Sequence, residues 1–303
     1  MRRRDLLKTG SGAALGLWAA SSLSAAATEE PNRKRGKKRI LYFTKSVGYE
    51  HSVVQRRGGE LSHSERVLTE MGKRSGFEVV CTKDGEVFDQ DLDRYDAVAF
   101  YTAGDLTQAG PDGGRPMTRA GKGKLLDFIS GGRGFIGFHA CTDSFRSTEG
   151  KDGKRSETDP YIAMLGGEFV THGEQQEASL FIADRFPGIR GLGCAEAFSF
   201  HEEWYTLRNF ARDLHVILVQ ETRHMHGECY QRPPYPCTWA RLHGKGRVFY
   251  TSLGHREDIW TDPFFQAVAL GGIGWALGDI KAEVKPNFNE VTPRANELTG
   301  PPA

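Results

Sequence analysis

The chain has 303 residues, 38% hydrophobic and 26% charged, a balance that suits a soluble globular protein and excludes an intrinsically disordered one. Its 37 glycines stand singly or in pairs at segment ends, which excludes a collagen-like repeat. The net charge of +1 is unevenly placed: residues 1–27 carry +3, residues 28–39 carry +4 and residues 40–303 carry −6, and so acidic a body excludes a dedicated nucleic-acid binder.

Arg3-Arg4-Asp5-Leu6-Leu7-Lys8 matches the twin-arginine export pattern. The apolar stretch Gly10–Leu23 is too short and too weak to span a bilayer as a mature helix, and Ala25-Ala26-Ala27 offers small residues for cleavage before Thr28. Residues 1–27 therefore read as a signal peptide and 28–38 as a basic, solvated linker. The expected location is periplasmic or extracellular, with no membrane span in the mature chain.

Residues 39–46 form an apolar run that predicts a buried strand. Ser62-x-x-Glu65 is a capping-box pattern opening a helix to about Ser75, which Gly76 ends. Strands are predicted at 77–82, 96–102 and 134–139, with a short helix at 122–130 before the Gly131-Gly132 pair. This β-α-β-β-α-β order, with near-continuous apolar strands, indicates an α/β fold with a largely parallel sheet covered by helices. Residues 143–160 read as a polar surface loop. Strands follow at 177–183 and 214–220, then a hairpin of 237–242 and 247–252 around His243-Gly244-Lys245-Gly246. Thr261–Leu277 is a final apolar helix, with Thr261 or Asp262 as cap and Pro263 in the first turn. Residues 281–303 carry four prolines and no periodicity, and read as an extended tail.

Ligands of open α/β sheets bind beyond the carboxyl ends of the parallel strands. That edge gathers Ser46, Tyr49, Glu50 and His51 after the first strand, and Thr102 and Asp105 after the third. It also gathers His139, Cys141, Thr142 and Asp143 after the fourth, and His255, Arg256, Glu257 and Asp258 after the strand at 247–252. One strand-end histidine is usually structural; three on one rim point to function. The strand running into Gly137-Phe138-His139-Ala140 resembles a nucleophile elbow with histidine at the exposed position. Histidine there suits a general base or a metal ligand. A Cys141 thiolate beside His255 is a weaker alternative, because exported free thiols oxidise.

His201-Glu202-Glu203-Trp204-Tyr205 sets a carboxylate beside two aromatics, as a sugar site would; its plain alternative is a surface acidic pair with Trp204 in the core. His224-x-His226-x-x-Cys229, with Cys237 beyond, matches no standard zinc spacing, and a disulfide between Cys229 and Cys237 competes with a metal site. With five cysteines, at least one is free unless it pairs between chains.

Several of these segments together resemble the trehalose-utilisation (ThuA-like) family. They are Gly137-Phe138-His139-Ala140, Leu165-Gly166-Gly167-x-Phe169-x-x-His172, Glu202-Glu203-Trp204-Tyr205, Pro236-x-x-Trp239, Gly244-Lys245-Gly246-Arg247-Val248-Phe249-Tyr250, Leu253-Gly254-His255 and Gly272-Ile273-x-Trp275-Ala276-x-Gly278. The resemblance covers residues 39–280. It implies a flavodoxin-like, class I glutamine amidotransferase-like three-layer sandwich with a mainly parallel central sheet. It also implies that His139 stands where the amidotransferases carry their cysteine nucleophile, so glutamine hydrolysis is not expected. His255 looks like the counterpart of the triad histidine and Glu203 like the family's acidic residue. The family is linked to disaccharide oxidation through 3-keto sugars.

The expectation is an exported carbohydrate-processing enzyme acting on glycosides or 3-keto-glycosides by general acid/base chemistry, with His139, Glu203 and His255 catalytic. Tyr49, His51, Asp105, His172, Trp204, Tyr205, Trp239 and Arg256 are expected to bind the sugar. One alternative is a metal-dependent hydrolase drawing divalent-cation ligands from His51, His139, His172, Glu203 and His255. The other is a non-catalytic carbohydrate-binding protein on the same scaffold.

Overall fold

A computed structural model of the chain describes residues 36–147, 157–193 and 196–298. The predicted signal peptide, nearly all of the linker, part of the polar loop at 143–160, and Cys194 lie outside the described residues.

The first half builds the parallel layer. Strand β1 (Lys38–Phe43) leads through a long loop to helix α1 (His63–Ser75) and strand β2 (Phe77–Thr82). The expected capping box closes α1: Ser62 accepts the Glu65 N–H, and Glu65 accepts the Ser62 N–H at 2.9 Å. Gly76 ends the helix at φ +88°, a conformation that favours glycine. Strand β3 (Ala97–Phe100), helix α2 (Arg119–Ser130) and strand β4 (Gly134–Phe138) follow. Helix α2 starts three residues earlier than expected because Thr118 caps it, accepting the Gly121 N–H at 2.8 Å.

Beyond β4 come helix α3 (Pro160–Leu165), strands β5 (Glu168–His172), β6 (Gln176–Ile182), β7 (Ala197–Glu202), β8 (Tyr205–Arg208) and β9 (His215–Gln220), and the hairpin β10 (Tyr235–His243) and β11 (Gly246–Thr251). Helices α4 (Glu257–Thr261), α5 (Pro263–Ala276) and α6 (Phe288–Val291) complete the chain. The apolar helix expected at 261–277 is α5, with Pro263 in its first turn and Asp262 as its cap, the Asp262 carboxylate accepting the Phe264 and Phe265 N–H groups; the short α4 precedes it. Helix α3 and strands β5, β7 and β8 have no counterpart in the sequence reading. They are short, four to six residues each, too short for a period to stand out against their surroundings.

The nine-stranded sheet runs β2-β1-β3-β4-β11-β10-β9-β6-β7, and β5 pairs with β8 in a separate ribbon. Strands β2, β1, β3, β4 and β11 are parallel neighbours, the order of a doubly wound flavodoxin-like sheet. Strands β10, β9, β6 and β7 extend it in antiparallel fashion. Helices α1, α4 and α5 pack together as one layer, and α2 and α3 as another. The centre of the parallel strands is apolar, with Ile40, Leu41, Val98, Phe100, Ile136 and Phe249 fully buried.

The C-terminal segment is not a free tail. Asn287 accepts the Val216 N–H at 2.6 Å and donates to the Val216 carbonyl at 3.1 Å, pairing with part of β9 that β6 does not reach. Phe288 and Ala295 are fully buried. Asn296 pairs in the same way with the Phe210 backbone, so aperiodic residues bind here through two amide side chains and two isolated apolar anchors, a pattern that carries no helical or strand period.

Candidate metal centre

The carboxyl edge of the parallel strands delivers three histidines to one point. His51 lies in the loop after β1, His139 begins the turn after β4, and His255 follows β11. Glu203, between β7 and β8, completes the group. Each of the four offers one ligand atom, and those atoms lie within 4.8 Å of one another. The three imidazole rings sit at centroid separations of 5.2 Å from each other.

His139 adopts φ +38°, a left-handed conformation that non-glycine residues rarely enter. Its surroundings enforce it. Tyr250 Oη donates to the His139 carbonyl at 2.9 Å, Thr142 Oγ1 donates to it at 3.3 Å, and the ring is held at Nδ1 by the Ser252 carbonyl at 2.7 Å. The elbow read from the sequence is therefore present, with a fully buried imidazole at its tip. The ring packs 4.2 Å from Tyr205.

Glu203 Oε2 stands 3.0 Å from His255 Nδ1, 3.4 Å from His139 Nε2 and 3.9 Å from His51 Nε2. None of His51 Nδ1, His139 Nε2 and His255 Nδ1 has a hydrogen bond of good geometry among the described residues. Burial pushes His51 well below the ordinary imidazole range, and its neighbours His139 and His255 push the same way. Burial also lowers His139, against the pull of Glu203. Burial alone would raise the Glu203 carboxyl, but His139 and His255 outweigh it and hold the group well below the usual carboxylate range. The resting site thus holds an ionised carboxylate beside the neutral imidazoles of His51 and His139.

The remaining expected residues divide into a mouth and a core. His172 is 43% exposed, with Nδ1 3.3 Å from the other Glu203 oxygen, Oε1. Tyr49, 67% exposed, sets its ring edge-on to His51 at 4.8 Å. Tyr205 is buried, with its hydroxyl 3.3 Å from His51 Nε2. Arg256 binds Asp258 and reaches Gln175 Oε1 at 3.0 Å; the Gln175 amide nitrogen lies 3.1 Å from His255 Nε2. Asp143 follows His139 in the same turn, and burial pushes its carboxyl up to about 6 against the pull of Arg146 and His172.

Several expectations are corrected. Trp204 and Trp239 are fully buried and spend their indole N–H groups on the carbonyls of Gln176 and Leu165, so they are core residues and cannot stack on a sugar. Asp105 is exposed and closes a local turn by accepting from Thr107 and Gln108. Cys141 is fully buried, and burial raises its thiol far above the range of a thiolate nucleophile. Cys229 and Cys237 are both free thiols; Cys237 is buried and donates to the Leu218 carbonyl. His224 and His226 are exposed and belong to no converging donor set among the described residues.

Residues absent from the sequence reading also shape the site. Tyr101 is buried against His51 and His139 at ring separations of 5.5 and 5.8 Å, its hydroxyl unpartnered. Its place one residue past β3, on the same rim as His139, was the available signal. Gln175 sits in a turn that no motif marks.

The trehalose-utilisation (ThuA) family model matches residues 39–276. A search of the curated proteins returned no match. Among solved structures, a ThuA-like protein of Bacteroides uniformis is 15% identical, with a TM-score of 0.55 over 82% of this chain and 95% of its own. A ThuA-like protein of Parabacteroides merdae is 19% identical, with a TM-score of 0.52 over 82% of this chain and 93% of its own. At such identities the likeness is one of fold. No helix among the described residues is long and apolar enough to cross a membrane.

Proposed function

This chain belongs to the trehalose-utilisation (ThuA) family, and from that premise we propose that it is a carbohydrate-processing enzyme centred on a divalent cation held by His51, His139, Glu203 and His255. One observation carries the reading: four donors converge within 4.8 Å, and the two imidazole nitrogens nearest Glu203 Oε2, His139 Nε2 and His255 Nδ1, make no hydrogen bond of good geometry among the described residues. Buried polar atoms are normally satisfied, so unpartnered ones aimed at a common point call for a ligand. The neutral imidazoles of His51 and His139 and the ionised Glu203 are in the protonation states that cation binding needs. A three-nitrogen, one-oxygen set suits zinc or a similar first-row metal. The Nδ1–H donated by His139 to Ser252 is the outer-shell contact that holds such a ligand in one tautomer.

The substrates are glycosides or 3-keto-glycosides. A 3-keto group acidifies the neighbouring C2–H bond; loss of that proton and departure of the C1 substituent cleave the glycoside. A bound cation supplies stabilisation of the developing oxyanion. Tyr49 offers an exposed aromatic face to the sugar. Asp143 and His172, near the mouth, are placed for proton transfer, and a carboxyl near 6 suits that task. The twin-arginine opening supports an exported enzyme that meets extracellular glycosides.

A second reading keeps the residues and omits the ion. His139 is then the base, favoured by its neutral, strained imidazole with a bare Nε2, and the ionised Glu203 beside it stabilises the imidazolium that forms.

The test is aglycone release from a panel of plain and 3-keto glycosides, with and without chelator. Release that chelator abolishes and added Zn2+ restores supports the cation centre. Release from keto substrates that ignores chelator moves the function to His139 as base. Sugar binding with no release from any substrate overturns both and leaves a carbohydrate-binding protein.

A further inference from the structure

Glu202, next to the proposed ligand Glu203, has no solvent exposure and touches no other charged side chain at hydrogen-bond distance. Both of its oxygens are spent on backbone. Oε1 accepts the Glu203 N–H at 2.9 Å, and Oε2 accepts the N–H groups of Gly254 at 2.9 Å and His255 at 3.1 Å. Burying a carboxylate is costly unless it is fully hydrogen-bonded, and three amides meet that need.

The turn it grips is fixed from the other side as well. Gly254 sits at φ +112°, open to glycine and strained for other residues, and its carbonyl accepts the Trp260 indole N–H at 2.8 Å. The segment carrying His255 is thus held by Glu202 at its amides and by Trp260 at a carbonyl.

We infer that Glu202 is the positioning residue of the centre: it ties the end of β7, which carries Glu203, to the turn after β11, which carries His255, and sets both donors in register before an ion arrives. The inference rests on the cation reading above. It makes Glu202 an outer partner that never meets substrate or metal. Such partners, when removed, typically weaken metal binding by about 10–100-fold.

The experiment is Zn2+ titration against a chromophoric chelator, with the visible spectrum of Co2+-loaded protein as a second readout. It compares wild type, Glu202→Gln and Glu65→Gln. Glu65 is an equally buried carboxylate that binds Arg56, Thr44 and Ser62, none of them a proposed ligand, and it controls for lost stability. Glu202→Gln keeps the shape and replaces one acceptor with an amide NH2. The expected result is about 10–100-fold weaker Zn2+ binding and an altered Co2+ spectrum in Glu202→Gln, with wild-type values in Glu65→Gln. Affinity and spectrum unchanged in Glu202→Gln overturn the inference, as does an equal loss in Glu65→Gln. Hydrogen exchange of metal-free wild type is independent of any variant's folding: the Glu203, Gly254 and His255 amides are expected to be protected, and free exchange there overturns the inference too. Wild type that takes up neither ion overturns the cation reading itself, a result distinct from binding that Glu202→Gln leaves intact.

Discussion

Nδ1 of His139 lies 2.7 Å from the carbonyl oxygen of Ser252, 113 residues further along the chain. A carbonyl only accepts, so Nδ1 carries the proton and Nε2 presents a bare lone pair. That lone pair faces Glu203 Oε2 at 3.4 Å, in the cluster shared with His51 and His255. Strand β11, by pairing in parallel with β4, brings Ser252 beside the elbow and so decides which nitrogen of His139 is available for chemistry.

The donor set predicts which substitutions empty the centre. His51→Ala, His139→Ala and Glu203→Gln each abolish stoichiometric Zn2+ binding, measured by elemental analysis of protein freed of excess ion. His172→Ala keeps the ion and weakens it by no more than the roughly 10–100-fold expected of an outer partner, because its ring meets Oε1 and not Oε2 of Glu203. Full retention of metal by His139→Ala would refute the assignment.

The three aromatic positions separate stability from recognition. Trp204→Ala and Trp239→Ala remove fully buried indoles with satisfied N–H groups, and each lowers unfolding free energy by about 3–5 kcal/mol. Tyr49→Ala, at an exposed ring, shifts stability by no more than ~0.5 kcal/mol but raises the Kd for sugar. Denaturant unfolding and sugar titration of the same three variants read both effects; sugar affinity unmoved in Tyr49→Ala removes that residue from the site.

Asp143 gives a pH dependence with a definite sign. Its carboxyl is raised to about 6 in the fold, above the ~3.9 of an unfolded chain. The stability it contributes is therefore complete below about pH 4 and lost as the pH climbs through about 6. Asp143→Asn carries no such loss, so it gains on the order of 2 kcal/mol over wild type at pH 8 and nothing comparable at pH 4. Urea unfolding of both proteins at the two pH values measures this; equal differences at both pH values contradict it. Under the proposed function the same variant slows turnover, which would make the raised carboxyl a functional strain.

Asn287 tests whether the C-terminal segment belongs to the fold. Asn287→Ala strips both Val216 backbone groups of their side-chain partner, and an unsatisfied buried group costs about 1–3 kcal/mol. A fall in that range by thermal unfolding is expected. A wild-type Tm would mean that the pairing of Asn287 with Val216 contributes nothing to stability.

Much of the fold was legible because its signals are local. Ser62 and Glu65 lie three residues apart and satisfy each other's neighbouring amides, so their pattern alone placed the start of α1. The strand at 77–82 showed the same bounds in sequence and structure, since its apolar run is bounded by Gly76 and by charged residues. The β10–β11 hairpin was equally plain from its glycine-flanked turn. Strands β7 and β8, whose ends frame Glu203, were not: β7 is an edge strand with no fully buried residue before Glu202, and β8 is only four residues long.

What the sequence determined by itself is the edge: a parallel α/β sheet must place His51, His139 and His255 at the carboxyl ends of its strands, because every parallel strand ends on the same side. What the tertiary structure decided is the company they keep. The antiparallel extension swings Glu203 into their midst and sends Trp204 and Trp239 into the core, while a local turn after β3 leaves Asp105 in solvent. Hydrophobicity specifies that a side chain is buried but not against which neighbour. That pairing follows from strand order and from contacts between segments more than 50 residues apart, such as Glu202 with Gly254 and His255.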